Sequence, residues 1–161
     1  MTEVERIVDQ YDRAMNGDAW HGDPVWKILD GISAEQAACQ VSPPIHTIWE
    51  LVSHMMFWET EVLRHMSSLP ARSSEDLNFP AMPNVSAENW TATLSEFRRS
   101  NTDFRSALAK LSDWQLRQPM PGREKSIYVE LHGVIQHHLY HAGQIAILSR
   151  IFAADKVVTG L

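Results

Sequence analysis

Four of the chain's eight histidines, His132, His137, His138 and His141, fall within ten residues, and three of them stand in the run His137-His138-Leu139-Tyr140-His141. The segment 128–152 around them has no proline and reads as helix, in which side chains three or four positions apart share a face. His141 therefore stands beside both His137 (i, i+4) and His138 (i, i+3). Two neutral imidazoles held in that way form half a coordination sphere for zinc, nickel or iron. No glutamate occupies the position a metalloprotease helix would use, so helical spacing alone leaves two readings open, a metal site or packed histidines.

Two imidazoles leave a cation underbound, and a further donor must come from another helix. His54 is the best placed, at the border of an apolar helix face beside Trp58. His65 lies on the same side, but eleven residues on corresponds to about 16 Å along a helix axis, too far to share an ion with His54. Periodicity does not decide between His137 and His138. Ile127, Leu131, Val134, Ile135, Ala142, Ile145 and Phe152 define an apolar face centred nearer His138 and His141, with His137 at its edge.

The elements that must position these side chains are helical throughout. Val4, Ile7, Val8, Tyr11 and Met15 form the stripe of a first amphipathic helix over 2–16, stopped by Gly17. Asp23-Pro24 starts a short helix through Val25, Trp26, Ile28 and Leu29, ended by Gly31, and Ser33 with Gln36 caps another turn or two before Pro43-Pro44. Thr47 and Glu50 have the form of a capping box for a second long helix over 47–67. Residues 68–85 hold three prolines and no sustained period, a length expected of a crossover or a functional lid. Ser86 caps a third helix whose seam runs through Trp90, Leu94, Phe97, Asn101, Phe104, Leu108 and Leu111, with Asn101 its one polar member. After a break at 119–123 the fourth helix spans 126–153. Four such helices predict an all-α four-helix bundle, one domain over 1–161, in which the long crossover lets the second and third helices run parallel. A second apolar group on the fourth helix, Tyr140, Ile147 and Ile151, leads to the expectation of a homodimer.

Composition narrows the function classes. A net charge of −6 lacks the basic face that nucleic acid requires, and no apolar run approaches the ~18 residues of a membrane span. With no charged-then-apolar leader and one cysteine, Cys39, read as a packed small hydrophobe, a cytoplasmic protein is expected. The chain also lacks a phosphate-binding glycine loop, a nucleophile elbow and a cysteine pair, which disfavours nucleotide enzymes, serine hydrolases and thiol redox proteins.

The string Leu131-His132-Gly133-Val134-Ile135-Gln136-His137-His138-Leu139-Tyr140-His141-Ala142-Gly143-Gln144-Ile145 resembles the C-terminal signature of the DinB-like (YfiT-like) metalloenzyme family, His-x-x-Tyr-His-x-Gly-Gln-Ile. His46-Thr47-Ile48-Trp49-Glu50-Leu51-Val52-Ser53-His54 is similar to that family's second-helix signature, and Ala19-Trp20-His21-Gly22 to its segment after the first helix. The resemblance implies a four-helix bundle, often dimeric, holding a divalent metal ion (zinc, nickel or iron) on His54, His137 and His141. It thereby favours His137 over His138, which stands where many members have aspartate or asparagine and is expected to support the ligands from behind.

Three protein ligands leave open positions, as in catalytic metal sites, where a bound water is acidified and a thiol held as thiolate. Relatives of the family include S-transferases and isomerases that use a low-molecular-weight thiol cosubstrate, and proposed metal-dependent hydrolases. The expectation is thus a metal-dependent enzyme, a transferase or hydrolase, that activates a thiol or water against a small electrophilic substrate. The contrasting expectation is a non-catalytic, stress-associated metal-binding protein. Gln144, His138, Glu50 and Glu61 are the candidate supporting residues, and Trp20, His21 and Trp26, with the 68–85 segment, the candidate pocket mouth. Tyr140 points about 100° from His141 on the helix and is not assigned as an acid.

Overall fold

The computed structural model describes residues 1–70, 72 and 75–159. Four long helices dominate: α1 (Glu3–Met15), α4 (Ile48–Met66), α6 (Ala87–Leu108) and α8 (Ile127–Thr159). Short helices α2 (Val25–Leu29), α3 (Ala34–Ala38), α5 (Glu75–Asn78) and α7 (Asp113–Leu116) occupy the connections, and no strand occurs among the described residues. No helix among them is long and apolar enough to cross a membrane.

The predicted caps form. Thr47 N–H donates to Glu50 Oε2 at 2.7 Å while Glu50 N–H donates to Thr47 Oγ1 at 3.2 Å, satisfying two of the donors that every helix start leaves over. Ser33 and Gln36 close the same reciprocal box on α3. Two boundaries differ from expectation. Helix α6 ends at Leu108, because Ser112 and Gln115 begin a new capping box on α7, so Leu111 lies past the helix. Helix α8 continues to Thr159, with no proline to stop it. Cys39 is exposed rather than packed: it follows a five-residue helix whose buried face is Ala34 and Ala37.

Contacts fix the helix directions. Trp49 meets Trp90, at 5.0 Å between ring centroids, and donates to Thr93 Oγ1, while about two to three turns further on Glu59 meets Ser100 and Asn101. Helices α4 and α6 are therefore parallel, as the long crossover predicts. Helix α1 runs against α6, with Asp12 on Arg105 and the Val4 N–H on Asp113 of α7.

Where the four long helices meet, the core is polar. Glu59 of α4, 0% exposed, accepts from Tyr11 Oη of α1, from Ser100 Oγ at 2.7 Å and Asn101 Nδ2 at 2.9 Å of α6, and lies 3.0 Å from His138 Nε2 of α8. Burial, then the Glu59 charge, pushes the Tyr11 pKa up, keeping its hydroxyl a donor. His138 Nδ1 donates to the Val134 carbonyl oxygen at 2.8 Å, which turns Nε2 toward Glu59 Oε1. Asn101 Oδ1 in turn accepts from Trp26 Nε1. A group this deep is tolerated only when its partners are all in place, and here they come from every long helix, which fixes the rotation of α8 and hence the direction in which His137 and His141 point.

Candidate metal centre

Helices α4 and α8 bring His54, His137 and His141 together, and their ligand atoms all lie within 4.8 Å of one another. His137 Nε2 is 2.8 Å from His54 Nε2 and 3.0 Å from His141 Nε2. Ring centroids are 4.8 Å apart for His54 with either partner and 4.4 Å for His137 with His141, a nearly equilateral cluster.

The outer nitrogens settle two of the three tautomers. His54 Nδ1 donates to the Asn78 carbonyl oxygen at 3.1 Å, and His141 Nδ1 donates to Gln144 Oε1 at 2.6 Å. Each of these neutral rings then directs a lone pair from Nε2 toward the cluster. His137 Nε2 can donate to only one of them, and its buried Nδ1 has no partner among the described residues. One proton on His137 Nε2 cannot satisfy both facing lone pairs, whereas the three inward nitrogens together are a donor set that fits a divalent cation.

Electrostatics favours the same state. Burial lowers the His54 pKa to about 4, with the neighbouring His141 adding to the effect against the Asn78 hydrogen bond. Burial, followed by repulsion from His141, His138 and His54, lowers His137 to about 3. Burial also lowers His141, against the opposing bond to Gln144. At neutral pH all three are uncharged and their lone pairs free for a metal.

The crossover contributes what the sequence reading could only place in a general way. Besides the Asn78 carbonyl, it supplies Phe79, which stacks on His54 at 4.2 Å and 4° and on His46 at 3.9 Å and 4°, an aromatic ring held between two imidazoles. Residues 71, 73 and 74 of the predicted 68–85 segment lie outside the described residues.

Of the other candidates, Gln144 holds His141 as described. His138 does not join the cluster: its ring turns into the core toward Glu59, because the apolar face it centres is the face packed on α1, α4 and α6. Glu50 caps its own helix and lies 3.5 Å from His46, not His54. Glu61 accepts from the backbone and guanidinium of Arg72 at 2.9 and 2.6 Å, tying the crossover to α4 rather than taking an imidazole N–H. Trp20 and His21 line a groove with Asp9, Arg13, Ile135 and Leu139, on the side of α8 turned away from the cluster, and Trp20 is 101% exposed. Trp26 packs on Phe97 under Arg98 and belongs to the core network. Glu59 was missed as a site-organising residue, although Tyr11, Asn101 and His138, each a polar group on an apolar stripe, were the signal for a common partner.

Two recesses reach the cluster. One, beside His137, is lined by Trp58, Arg123, Lys125 and Glu130; the other, beside His141, is mostly apolar. The DinB superfamily model matches residues 19–145, which include all three clustered histidines. No curated protein and no solved structure matches the chain.

Proposed function

The chain belongs to the DinB superfamily, and from that premise we propose that it is a metal-dependent enzyme in which His54, His137 and His141 hold one divalent ion and a thiol or water attacks a small electrophile. The observation that carries this reading is the convergence of three uncharged imidazoles, two of them with their outer N–H committed elsewhere. Zinc, nickel and iron all suit such a donor set. When bound, the ion supplies Lewis acidity, lowering the pKa of a thiol or water and polarising the electrophile.

The protein's own groups set the conditions for that chemistry. Gln144 and the Asn78 carbonyl fix two ring orientations, an arrangement that also raises ligand basicity. Phe79 covers one face of His54 and keeps water from it. Three protein ligands leave coordination positions for reactants, and the recesses beside His137 and His141 give two approaches to them. Arg123 and Lys125 suit an anionic thiol cosubstrate on the His137 side.

Elemental analysis of the purified protein and of His54→Ala, His137→Ala, His141→Ala and His138→Gln tests the ligand set. Glutamine at 138 retains an amide donor for Glu59, so that variant is expected to fold and to keep stoichiometric metal, while the other three lose it. Metal retained by His137→Ala and lost by His138→Gln would replace this triad. Turnover of the loaded protein with a bacterial low-molecular-weight thiol and a panel of electrophiles, or with simple esters and amides, identifies an enzyme. Stoichiometric metal without turnover in either panel assigns the binding reading instead.

A further inference from the structure

The recess beside His141 differs from its neighbour in chemistry. Val41, Pro44 and Ile45, from the chain leading into α4, face Ile147, Leu148 and Ile151 of α8 across a cleft of ≈ 420 Å³, within the ~300–1,000 Å³ typical of small-molecule sites. Its polar residues are His46, Tyr140, His141 and Gln144, and no Asp, Glu, Lys or Arg lines it among the described residues. The recess beside His137, by contrast, carries Arg123, Lys125 and Glu130. Val41, Ile45, Tyr140, Ile147 and Ile151 are exposed, Ile147 by 60%. Scattered exposed hydrophobics need no explanation, but these converge on one concavity that ends at a clustered histidine. Gln144 gives its oxygen to His141 Nδ1, and its amide N–H₂ has no partner among the described residues.

We propose that this cleft binds the apolar body of an uncharged small molecule and presents that molecule's hydrogen-bond acceptor to the Gln144 amide, next to His141. The proposal rests on the reading of the triad as the reacting centre. It names the electrophile's class: neutral and predominantly hydrophobic, with a carbonyl or comparable acceptor at one end. Charged analogues are disfavoured because an ionic group in the cleft would lose water without gaining a counter-charge from any of the described lining residues.

Two fluorescent probes of one skeleton test it, neutral N-phenyl-1-naphthylamine and its anionic relative 8-anilino-1-naphthalenesulfonate. Each is titrated into zinc-loaded and cobalt-loaded protein with metal content and sedimentation behaviour measured on the same samples. The neutral probe is expected to bind one per chain, at least about tenfold more tightly than the anionic one, and to be quenched more in the cobalt form. I147D and I45D alter exposed side chains and are expected to weaken binding at least about tenfold with metal content unchanged. Preference for the anionic probe, or binding indifferent to both substitutions, overturns the proposal. So does a wild-type dimer that I147D dissociates and that binds no probe, which would make the cleft a subunit interface. Probe binding to a protein that takes up no metal would uphold the cleft and overturn the metal reading alone, whereas full metal without probe binding would do the reverse.

Discussion

Removing the Glu59 carboxylate should destabilise the fold more than any single substitution among the clustered histidines. Glu59→Ala leaves Tyr11 Oη, Ser100 Oγ, Asn101 Nδ2 and His138 Nε2 without their shared partner in a place that water does not reach. Leaving a buried donor unsatisfied costs about 1–3 kcal/mol, so with four orphaned at once a loss of about 3–5 kcal/mol is expected, against a total of about 5–15 kcal/mol for an ordinary domain. For a chain of this size each kcal/mol lowers Tm by about 2–4 °C, so a fall of roughly 6–20 °C is expected. Thermal unfolding followed by circular dichroism in excess chelator measures it without any metal contribution. The decisive form is a cycle with His138→Leu and the double variant Glu59→Leu/His138→Leu. Since replacing both partners with apolar groups restores packing and removes the unpaired polar atoms, the double variant should be destabilised by less than the sum of the singles, by at least ~1.5 kcal/mol. Strict additivity, or a loss below ~1 kcal/mol for Glu59→Ala, would show that this network does not hold the helices together.

The metal-free protein should lose stability as pH falls from about 6.5 toward 4. Unfolded imidazoles take up protons near 6.5, whereas folded His54 and His137 do so only near 4 and 3, so the unfolded state binds the excess protons across that window. Urea midpoints at a series of pH values measure this, and midpoints that are flat or rise on acidification over that range contradict it. Gln144→Ala should weaken metal affinity by about 10–100-fold, the usual effect of losing an outer hydrogen-bond partner, with Tm of the metal-free protein changed by less than about 4 °C; competition with a chromogenic chelator reads the affinity. Phe79→Ala removes the stacking on His54 and His46, worth about 0.5–1.5 kcal/mol per aromatic pair, and is expected to raise the metal dissociation rate in a chelator chase. By contrast, Asp12→Asn breaks an exposed pair with Arg105 and should shift stability by less than ~1 kcal/mol in the same unfolding assay.

The helices and their caps were legible because the signals are local: Thr47 and Glu50 meet within one turn, and the stripe from Val4 to Met15 repeats at the helical period. Parallel α4 and α6 followed from the length of the crossover. The clustered histidines were legible through family motifs; periodicity had pointed to His138, and the structure shows why, since His138 does face the core but serves Glu59 there. Glu59 itself was illegible in isolation. A glutamate in an amphipathic helix reads as solvated, and only donors on three other helices, one of them 79 residues away, make its burial stable. Asn78 and Phe79 fall in a segment without period, where sequence can flag a length but not a contact.

Phe79, clasped flat between His54 inside and His46 at the rim, links the interior of the protein to its surface. Any tilt that His54 makes on taking up an ion must be followed by the phenyl ring and then by the outermost imidazole of the sandwich. The proton resonances of His46, shifted by the ring current of the phenyl beneath it, thus offer a gauge of occupancy that leaves both recesses free.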